Sequence, residues 1–192
     1  MAPTAEAIGM IEVEGVAGIV VASDAACKST AVELMGWEST GGFTTAFFGG
    51  SVSEVDVSLR TGEEAARQVV DHVVAAPLTR PEPAWRAFVS VPAPPGDSAN
   101  ISALGLLETR GYGSHVATND LMVKSADVEV YNVLTVHNRV VCTLVRGPVA
   151  AVRVALAEGR ERMTQSEWFL CSTLITRPVP AVLAAFGPRM ES

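Results

Sequence analysis

Apolar and polar positions along this chain predict the same series of elements twice. Short runs rich in β-branched and aromatic residues, which favour strands, alternate with stretches that have the three-and-four spacing of an amphipathic helix. The predicted strands cover residues 8–13, 32–37, 43–48 and 69–78 in the first half and 104–109, 128–136, 140–145 and 169–175 in the second. A first helix is predicted over residues 16–30 and again over residues 112–125.

The second helix of each half is marked by an apolar stripe that begins just after a glycine. The stripes follow Gly50 and Gly147 and consist of Val52, Val55 and Leu59 in the first half and Val149, Val152 and Leu156 in the second. This spacing is typical of a helix face that packs on a core. Strand, helix, hairpin, helix, strand predicts an α+β fold with helices against a small sheet.

The two halves also match residue by residue, which indicates a tandem duplication. The pattern Ala-(Ile/Leu)-Gly-(Met/Leu)-(Ile/Leu)-Glu begins at Ala7 and again at Ala103, an offset of 96 positions. Three further blocks recur in the same order: Asp-x-x-x-Lys at 24–28 and 120–124, Gly-x-Val at 50–52 and 147–149, and Thr-Arg-Pro at 79–81 and 176–178. Four ordered blocks on nearly one diagonal exceed what chance would produce.

A segment rich in proline and glycine separates the copies. Residues 91–100 include Pro92, Pro94, Pro95 and Gly96, which disfavour a helix or a central strand. The sequence therefore predicts a first domain over residues 5–90, a linker over 91–100 and a second domain over 101–187.

Together these blocks resemble the bacterial microcompartment shell domain. The resemblance also rests on the glycine-containing hairpin loop at 39–43, on Arg-Gly-Pro-Val-Ala-Ala-Val at 146–152 and on the Arg-Pro pair that ends each copy. It covers nearly all of both halves, and two domains in one chain resemble the tandem-domain subclass. The order of elements is that of the unpermuted domain, a βαββαβ arrangement related to the ferredoxin-like fold.

The resemblance implies a structural tile and not an enzyme. Such proteins form flat pseudohexagonal homotrimers that pack edge to edge with other shell proteins, both hexameric and pentameric tiles, around encapsulated enzymes. The implied location is a microcompartment shell in the cytoplasm, and the implied central pore would let metabolites pass.

In that family the loop between the second and third strands faces the pore. The residues at these positions are Ser39, Thr40, Gly41, Gly42, Phe43, His137, Asn138 and Arg139. Glycine would allow backbones to approach closely around an axis and leave peptide N–H groups free for solutes. Three copies of Arg139 would attract anions, whereas Phe43 would narrow the opening. Pairing of Arg139 with a nearby carboxylate is an alternative that the sequence supports equally.

Four cations at repeated positions are the candidate contacts between neighbouring tiles. Lys28 and Lys124 lie in the last turn of the first helices, and Arg80 and Arg177 follow the last strands. Long cationic side chains can cover apolar neighbours and donate hydrogen bonds to carbonyls across a symmetric contact. The alternative is that the lysines are solvated residues at helix ends and that the Arg-Pro pairs only prevent a helix from forming or continuing.

Composition adds a reason for self-association and excludes some partners. Of the 192 residues 48% are hydrophobic and only 18% are charged, which is more apolar surface than two small domains bury as a monomer. A net charge of −7 without a Lys/Arg cluster argues against nucleic-acid binding. The sequence has no apolar run long enough for a membrane span and no secretory pattern at its N-terminus, so neither is predicted.

The cysteines give no reason to expect a cofactor or a metal. Cys27, Cys142 and Cys171 lack the spacing of a disulfide framework or a metal site. Some tandem shell proteins hold an iron–sulfur cluster at the threefold axis, but neither hairpin loop here contains a cysteine. Cys142 aligns with Ala46 inside a strand.

Catalytic chemistry is equally sparse. His72, His115 and His137 form no metal-binding pair, and no nucleophile or phosphate-binding motif occurs. Glu12 and Glu108 occupy equivalent strand positions, which favours a repeated structural hydrogen bond over acid–base catalysis. The alternative function from another class is a trimeric regulatory protein that binds a metabolite between subunits.

Overall fold

The computed structural model describes residues 5–81, 101–110, 112–136, 140–164 and 166–188, apart from the side chains of residues 112 and 113. The first half contains β1 (Ala7–Glu14), α1 (Ala17–Ser29), β2 (Glu33–Thr40), β3 (Phe43–Gly50), α2 (Val52–Arg67) and β4 (Val73–Thr79). The second half contains β5 (Ala103–Arg110), α3 (Tyr112–Ser125), β6 (Glu129–Val136), β7 (Val140–Gly147), α4 (Val149–Met163), β8 (Phe169–Thr176) and α5 (Pro180–Phe186). The duplicated α+β order predicted from the sequence is confirmed.

Each half forms its own antiparallel sheet with the same strand order. The orders are β2-β3-β1-β4 and β6-β7-β5-β8. Because side chains alternate between the two faces of a strand, one face of each sheet meets the helices of its own half. In the second half that face contributes Ala103 and Leu107 to a core with Val152 and Leu156 of α4.

The last strand of the first half begins later than predicted. Val69 and Val70 do not start β4, because their N–H groups still donate to the Ala66 carbonyl at 2.9 and 3.0 Å and so continue the end of α2. Their apolar side chains pack against the core from this turn. The β-branched pair alone could not distinguish the two possibilities.

The extra residue of the second half lies in its hairpin loop. β2 ends at Thr40 and β3 begins at Phe43, whereas β6 ends at Val136 and β7 begins at Val140. Consequently Thr45 lies opposite Glu12, and Cys142 lies opposite Glu108. The structural equivalent of Cys142 is therefore Thr45, and the alignment with Ala46 was wrong by one position.

The linker predicted at 91–100 and the predicted end of the first domain at residue 90 lie outside the described residues, and the domain boundaries stay predictions. Among the residues that the structure does describe, no helix is both long and apolar enough to cross a bilayer.

Candidate subunit interface and hairpin loops

The two halves meet where α1 of the first half lies against the outer face of the second sheet. Val16, Ala17 and Val20 share one buried cluster with residues of β5, β7 and β8, and the sheet residues are Leu104, Leu106, Cys142, Leu144, Cys171 and Ile175. This face is the one that the helices of the second half leave uncovered. We call this contact the internal joint.

A buried carboxylate fixes the start of α1 in the internal joint. Glu108 Oε2 accepts hydrogen bonds from the backbone N–H of Val16 and Ala17 at 2.6 and 2.8 Å. These are first-turn groups that a helix cannot pair internally. Burial raises the pKa of Glu108 to about 7, although the two backbone hydrogen bonds lower it in part.

Gly15 makes room for this carboxylate. Its φ is +82°, and a Cβ at this position would lie 2.2 Å from Glu108 Oε1. A side chain would therefore displace the carboxylate and strain the backbone. Glycine at the end of β1 serves the contact between the halves as well as the turn into α1.

Two of the predicted tile-edge residues, Lys28 and Arg177, lie at the rim of the internal joint. Lys28 Nζ donates to Asp24 and also to the Thr176 carbonyl of the second half, the latter at 3.0 Å. Asp24 Oδ1 in turn accepts from the backbone N–H of Val179 at 2.9 Å. The Asp-x-x-x-Lys block therefore forms hydrogen bonds with backbone groups on both sides of Arg177, at Thr176 and Val179.

The Arg-Pro pairs share an unusual backbone conformation. Arg80 and Arg177 have φ values of 51° and 48°, in the left-handed region. Their N–H groups donate to the Glu6 and Ser102 carbonyls at 3.0 and 2.9 Å, so each chain turns sharply as it leaves the sheet. The side chains of both arginines are exposed.

The short helix α5 was not predicted from the sequence. It packs against the buried cluster of the internal joint. Trp37 Nε1 of β2 donates to the Ala185 carbonyl at 2.8 Å, and the Trp37 ring stacks on Phe186 at 5.4 Å. Tyr131 Oη of β6 donates to the Leu183 carbonyl at 3.0 Å. A proline at the first helical position followed by apolar residues at three-and-four spacing was the available signal.

The surfaces that would form a second joint of this kind are open in the single chain. On α3, Val116 is 53% exposed, whereas its equivalent Val20 on α1 is fully buried. On the outer face of the first sheet, Leu78 is 40% exposed, whereas its equivalent Ile175 is 6% exposed. Val74 likewise is 49% exposed where the second sheet has Cys171 at 8%.

The charged block of α3 differs from that of α1 in the same way. Lys124 pairs with Asp120 at 2.6 Å, and these side chains are 71% and 61% exposed. The corresponding Lys28 and Asp24 side chains are 41% and 8% exposed because the second half covers them. The repeated sequence block therefore occupies two different environments.

Glu12 and Glu108 also differ, so the expected repetition of one hydrogen bond is not seen within a single chain. Glu12 Oε2 accepts from Thr45 Oγ1 on the neighbouring strand at 3.0 Å and remains partly exposed. Glu108 lies opposite Cys142 and instead binds the start of α1.

The first hairpin loop owes its glycines to the turn itself. Gly41 and Gly42 have φ values of 62° and 95°, as a two-residue type I′ turn requires. A Cβ on Gly41 would meet no atom within 4 Å in the chain, so no close contact within the chain explains it. The Gly42 carbonyl accepts from the Gly15 N–H at 2.8 Å, which ties the loop to the start of α1.

The neighbours of this turn are held by contacts within the chain. Ser39 Oγ donates to the Phe43 carbonyl at 3.1 Å, and the Phe43 ring contacts the His72 ring edge-on at 5.2 Å. Thr40 is exposed beside them. The other predicted pore residues, His137, Asn138 and Arg139, lie outside the described residues.

A cavity of about 410 Å³ lies between the halves, next to Glu108. Its charged rim includes Arg110 and Glu14, which form an ion pair of 3.5 Å across the two halves. The remaining lining residues are Gly15, Val69, Val70, Asp71, His72, Glu108, Val140, Leu170 and Cys171.

A buried histidine marks a difference inside the second half. His115 on α3 lies between Thr109 Oγ1 and Thr143 Oγ1, each 2.7 Å from a ring nitrogen. Burial lowers the pKa of His115 to about 4, so the ring is neutral at physiological pH. The equivalent residue of α1 is the buried Ile19, and His115 therefore has a packing role.

Cys142 and Cys171 are buried thiols, and Cys27 is half-buried. Burial raises the pKa of Cys27 to about 11 and also raises the pKa of Cys142 and of Cys171 above the usual thiol value. Within the part of the chain that the structure describes, no three Cys, His, Asp or Glu side chains are grouped as a metal site.

Two antiparallel sheets, each with its helices on one face and repeated in one chain, define a tandem-domain α+β protein. The family model of the BMC domain matches it twice, at residues 7–78 and 103–178. The chain therefore belongs to the BMC domain family, which the sequence blocks indicated.

Several relatives are carboxysome proteins. The carboxysome assembly protein CcmO of Synechocystis sp. is 31% identical over 169 residues, which are 83% of this chain and 57% of that protein. CcmO of Synechococcus elongatus is 31% identical over 163 residues, 81% of this chain and 59% of that protein. This chain thus spans less than two thirds of the length of these relatives.

Other relatives match over about the length of one copy. The carboxysome shell protein CcmK2 of Synechocystis sp. is 40% identical over 78 residues, 37% of this chain and 76% of that protein. Among solved structures, a microcompartment protein from Desulfitobacterium hafniense is 22% identical, with 92% of this chain and 97% of that chain covered and a TM-score of 0.41.

Proposed function

We propose that this protein is a structural tile of a microcompartment shell, a homotrimer that packs edge to edge with other shell proteins. Family membership and relatives named carboxysome shell and assembly proteins support a structural role. The trimer, the pore and the edge contacts are the finer parts of the proposal and rest on the geometry of the joint.

The observation that carries the trimer is that one joint is closed within the chain while both surfaces of a second one are open. α1 is covered by the second sheet, but the same side of α3 and the outer face of the first sheet expose Val116, Val74 and Leu78. An interface between two different surfaces closes only as a ring. The family resemblance implies six domains around the axis, and since each chain supplies two domains, such a ring contains three chains.

A ring of this kind orients the hairpin loops. The turn at Gly41 and Gly42 is joined to Gly15, the residue at the start of the α1 contact. Repetition of the joint would bring the six hairpin loops together near the axis and form the proposed pore. Ser39, Thr40 and Phe43, with His137, Asn138 and Arg139 of the second loop, would then set its width and charge.

At the rim, Lys28, Lys124, Arg80 and Arg177 are proposed to contact neighbouring tiles. The two arginines are exposed, and both lysines keep more than a third of their side-chain surface accessible. Long cations at a shared edge can donate hydrogen bonds to carbonyls of an adjacent tile. Hexameric and pentameric shell proteins are the proposed partners.

Mass measurement and negative-stain microscopy test the tile. Light scattering should give three times the chain mass of 20.1 kDa, and microscopy should show hexagonal discs that grow into sheets. In the double variant Lys28→Ala, Lys124→Ala the sheets should be lost while discs persist, because one hydrogen bond lost at each joint weakens the ring by only about 1 kcal/mol. Persistent single chains, or discs that never tile, would contradict the proposal.

The cavity at the internal joint favours a second candidate function, a regulatory protein that binds a small metabolite. It is lined by Asp71, His72 and Glu108, which would suit a polar ligand. This function predicts discrete trimers without sheets and a saturable rise in melting temperature with one metabolite of a screened set.

A further inference from the structure

We propose that Glu12 caps the start of α3 in a neighbouring copy of the chain, as Glu108 caps the start of α1 within it. This inference rests on the proposed trimer and names the side chain that completes each joint between chains. The partner is a second copy of this chain, and the groups recognised are backbone N–H groups.

The two glutamates occupy the same place in the fold. Glu12 lies between β3 and β4 opposite Thr45 and Val74, and Glu108 lies between β7 and β8 opposite Cys142 and Cys171. Both are on the outer faces of their sheets, in line with residues that are buried in the second half and exposed in the first. Glu108 is 1% exposed because α1 covers it.

The N-terminus of α3 offers the matching donors. Its first two N–H groups, those of Tyr112 and Gly113, correspond at the offset of 96 positions to Val16 and Ala17, which Glu108 binds. The first N–H groups of any helix need a partner outside the helix, and a carboxylate there is also favoured by the helix dipole. The first turn of α3 holds no acidic residue of its own.

The exposed surfaces around these groups fit the same contact. Val116 lies one turn from the start of α3 and is exposed, and Val20 at that position on α1 is fully buried in the internal joint. Docking α3 on the first sheet would cover Val116 together with Val74. Apolar contact and cap would therefore form in the same step.

Thr45 holds the carboxylate in place before a neighbour arrives. Its hydroxyl donates to Glu12 Oε2 at 3.0 Å, whereas the second half has Cys142 at this position. A hydroxyl donor satisfies a partly exposed carboxylate that has no helix to cap in the isolated chain. This explains why the two halves differ at that position although the glutamates are the same.

Sedimentation equilibrium on the full chain tests the cap, with Glu12→Gln as the main variant and Glu108→Gln as the matched control. Glu12→Gln should weaken association about fivefold to tenfold, because it removes the charge and one acceptor from the helix start. Its urea midpoint, measured at a concentration where the chain is monomeric, should match wild type. Glu108→Gln should change the urea midpoint of the monomeric chain, because the contact that it alters lies within the chain.

Hydrogen exchange supplies a second reading. On association, the amides of residues 112 and 113 should become protected in wild type and in Thr45→Cys, and stay unprotected in Glu12→Ala. The cap is overturned, and the trimer is not, if Glu12→Gln associates as strongly as wild type and the amides of residues 112 and 113 are protected equally in Glu12→Ala. A wild type that stays monomeric at every concentration would overturn both.

Discussion

Helices α1 and α3 derive from the same repeated block, yet one is an interior element and the other a surface element. The second sheet covers the side of α1 that carries Val20, whereas the same side of α3 exposes Val116 to 53%. Local sequence does not explain this, because valine stands at both positions. The difference lies in what each helix has beside it in the chain.

In the proposed trimer, the contact that joins two chains is present once within each chain, as the internal joint. Glu108, Asp24 and Lys28 show what the joint looks like when closed. Glu12, Asp120 and Lys124 are the equivalent groups on the surfaces that no other half covers in the single chain. Substitutions at paired positions should therefore affect folding in one half and association in the other.

The largest effect is expected from a charge placed on the paired valines. Val20→Asp should destabilise the chain by about 3–5 kcal/mol, because it buries an unpaired carboxylate in the internal joint. Val116→Asp should change monomer stability by less than about 0.5 kcal/mol and abolish association. Urea unfolding and sedimentation measure the two effects, and equal loss of stability in both variants would contradict the comparison.

The next effect is a dependence of stability on pH that comes from His115, whose equivalent in the first half is Ile19 and does not titrate. The pKa of His115 is lowered to about 4 from 6.5. Below pH 6.5 the unfolded chain therefore binds a proton that the folded chain excludes, and up to about 3 kcal/mol is lost by pH 4. The contribution of His115 to stability is fully present above pH 6.5.

In His115→Asn, which keeps polar contacts but does not titrate, the loss on acidification should be smaller by this amount. The measurement is urea unfolding between pH 8 and pH 4. Equal slopes for wild type and variant would show that His115 is protonated in the folded chain.

A smaller effect is expected at the paired helix glycines. A Cβ on Gly62 of α2 would lie 2.5 Å from Ile11 Cδ1 and 3.0 Å from the Ala22 carbonyl oxygen, which is backbone and cannot move aside. Gly62→Ala should therefore cost about 1–3 kcal/mol. On Gly159 of α4 the nearest atom is Met122 Sδ at 2.7 Å.

Since methionine adapts its shape, Gly159→Ala should be neutral to within about 1 kcal/mol, the gain in helix propensity offsetting the crowding. Thermal unfolding of both variants measures the difference. A Gly159→Ala variant that is less stable than Gly62→Ala would reverse the expected order.

The smallest effect on the single chain is expected at the repeated lysines. Lys124→Ala removes an exposed ion pair and should cost less than about 0.5 kcal/mol. Lys28→Ala also removes the hydrogen bond to the Thr176 carbonyl and should cost about 0.5–1 kcal/mol more. Chemical denaturation of the monomeric variants measures the two losses of unfolding free energy. Equal losses would argue against the contact between Lys28 and the Thr176 carbonyl.

Periodicity and the repeated blocks predicted both halves of the fold, because core spacing on strands and helices is a local property. They did not predict α5, whose seven residues are stabilised by Trp37 and Tyr131 of distant strands. Nor did they place Cys142, because the extra residue of the second hairpin shifts the register by one.

The candidate site was predicted only in part. The repeat indicated that the Asp-x-x-x-Lys and Arg-Pro blocks take part in contacts. It did not indicate that Lys28 donates to the Thr176 carbonyl or that Glu108 caps α1 across the joint. Such contacts depend on how one half docks on the other, which no local pattern encodes.

Cross-linking tests most directly the claim that one joint serves within and between chains. A Lys28→Cys, Thr176→Cys variant with Cys27→Ser, treated with a short bismaleimide, should cross-link within the chain and keep monomer mass in denaturing electrophoresis. Lys124→Cys, Thr79→Cys in the same background should instead yield covalent dimers and closed trimers and nothing larger. Monomers alone, or a ladder beyond three chains, would contradict the account.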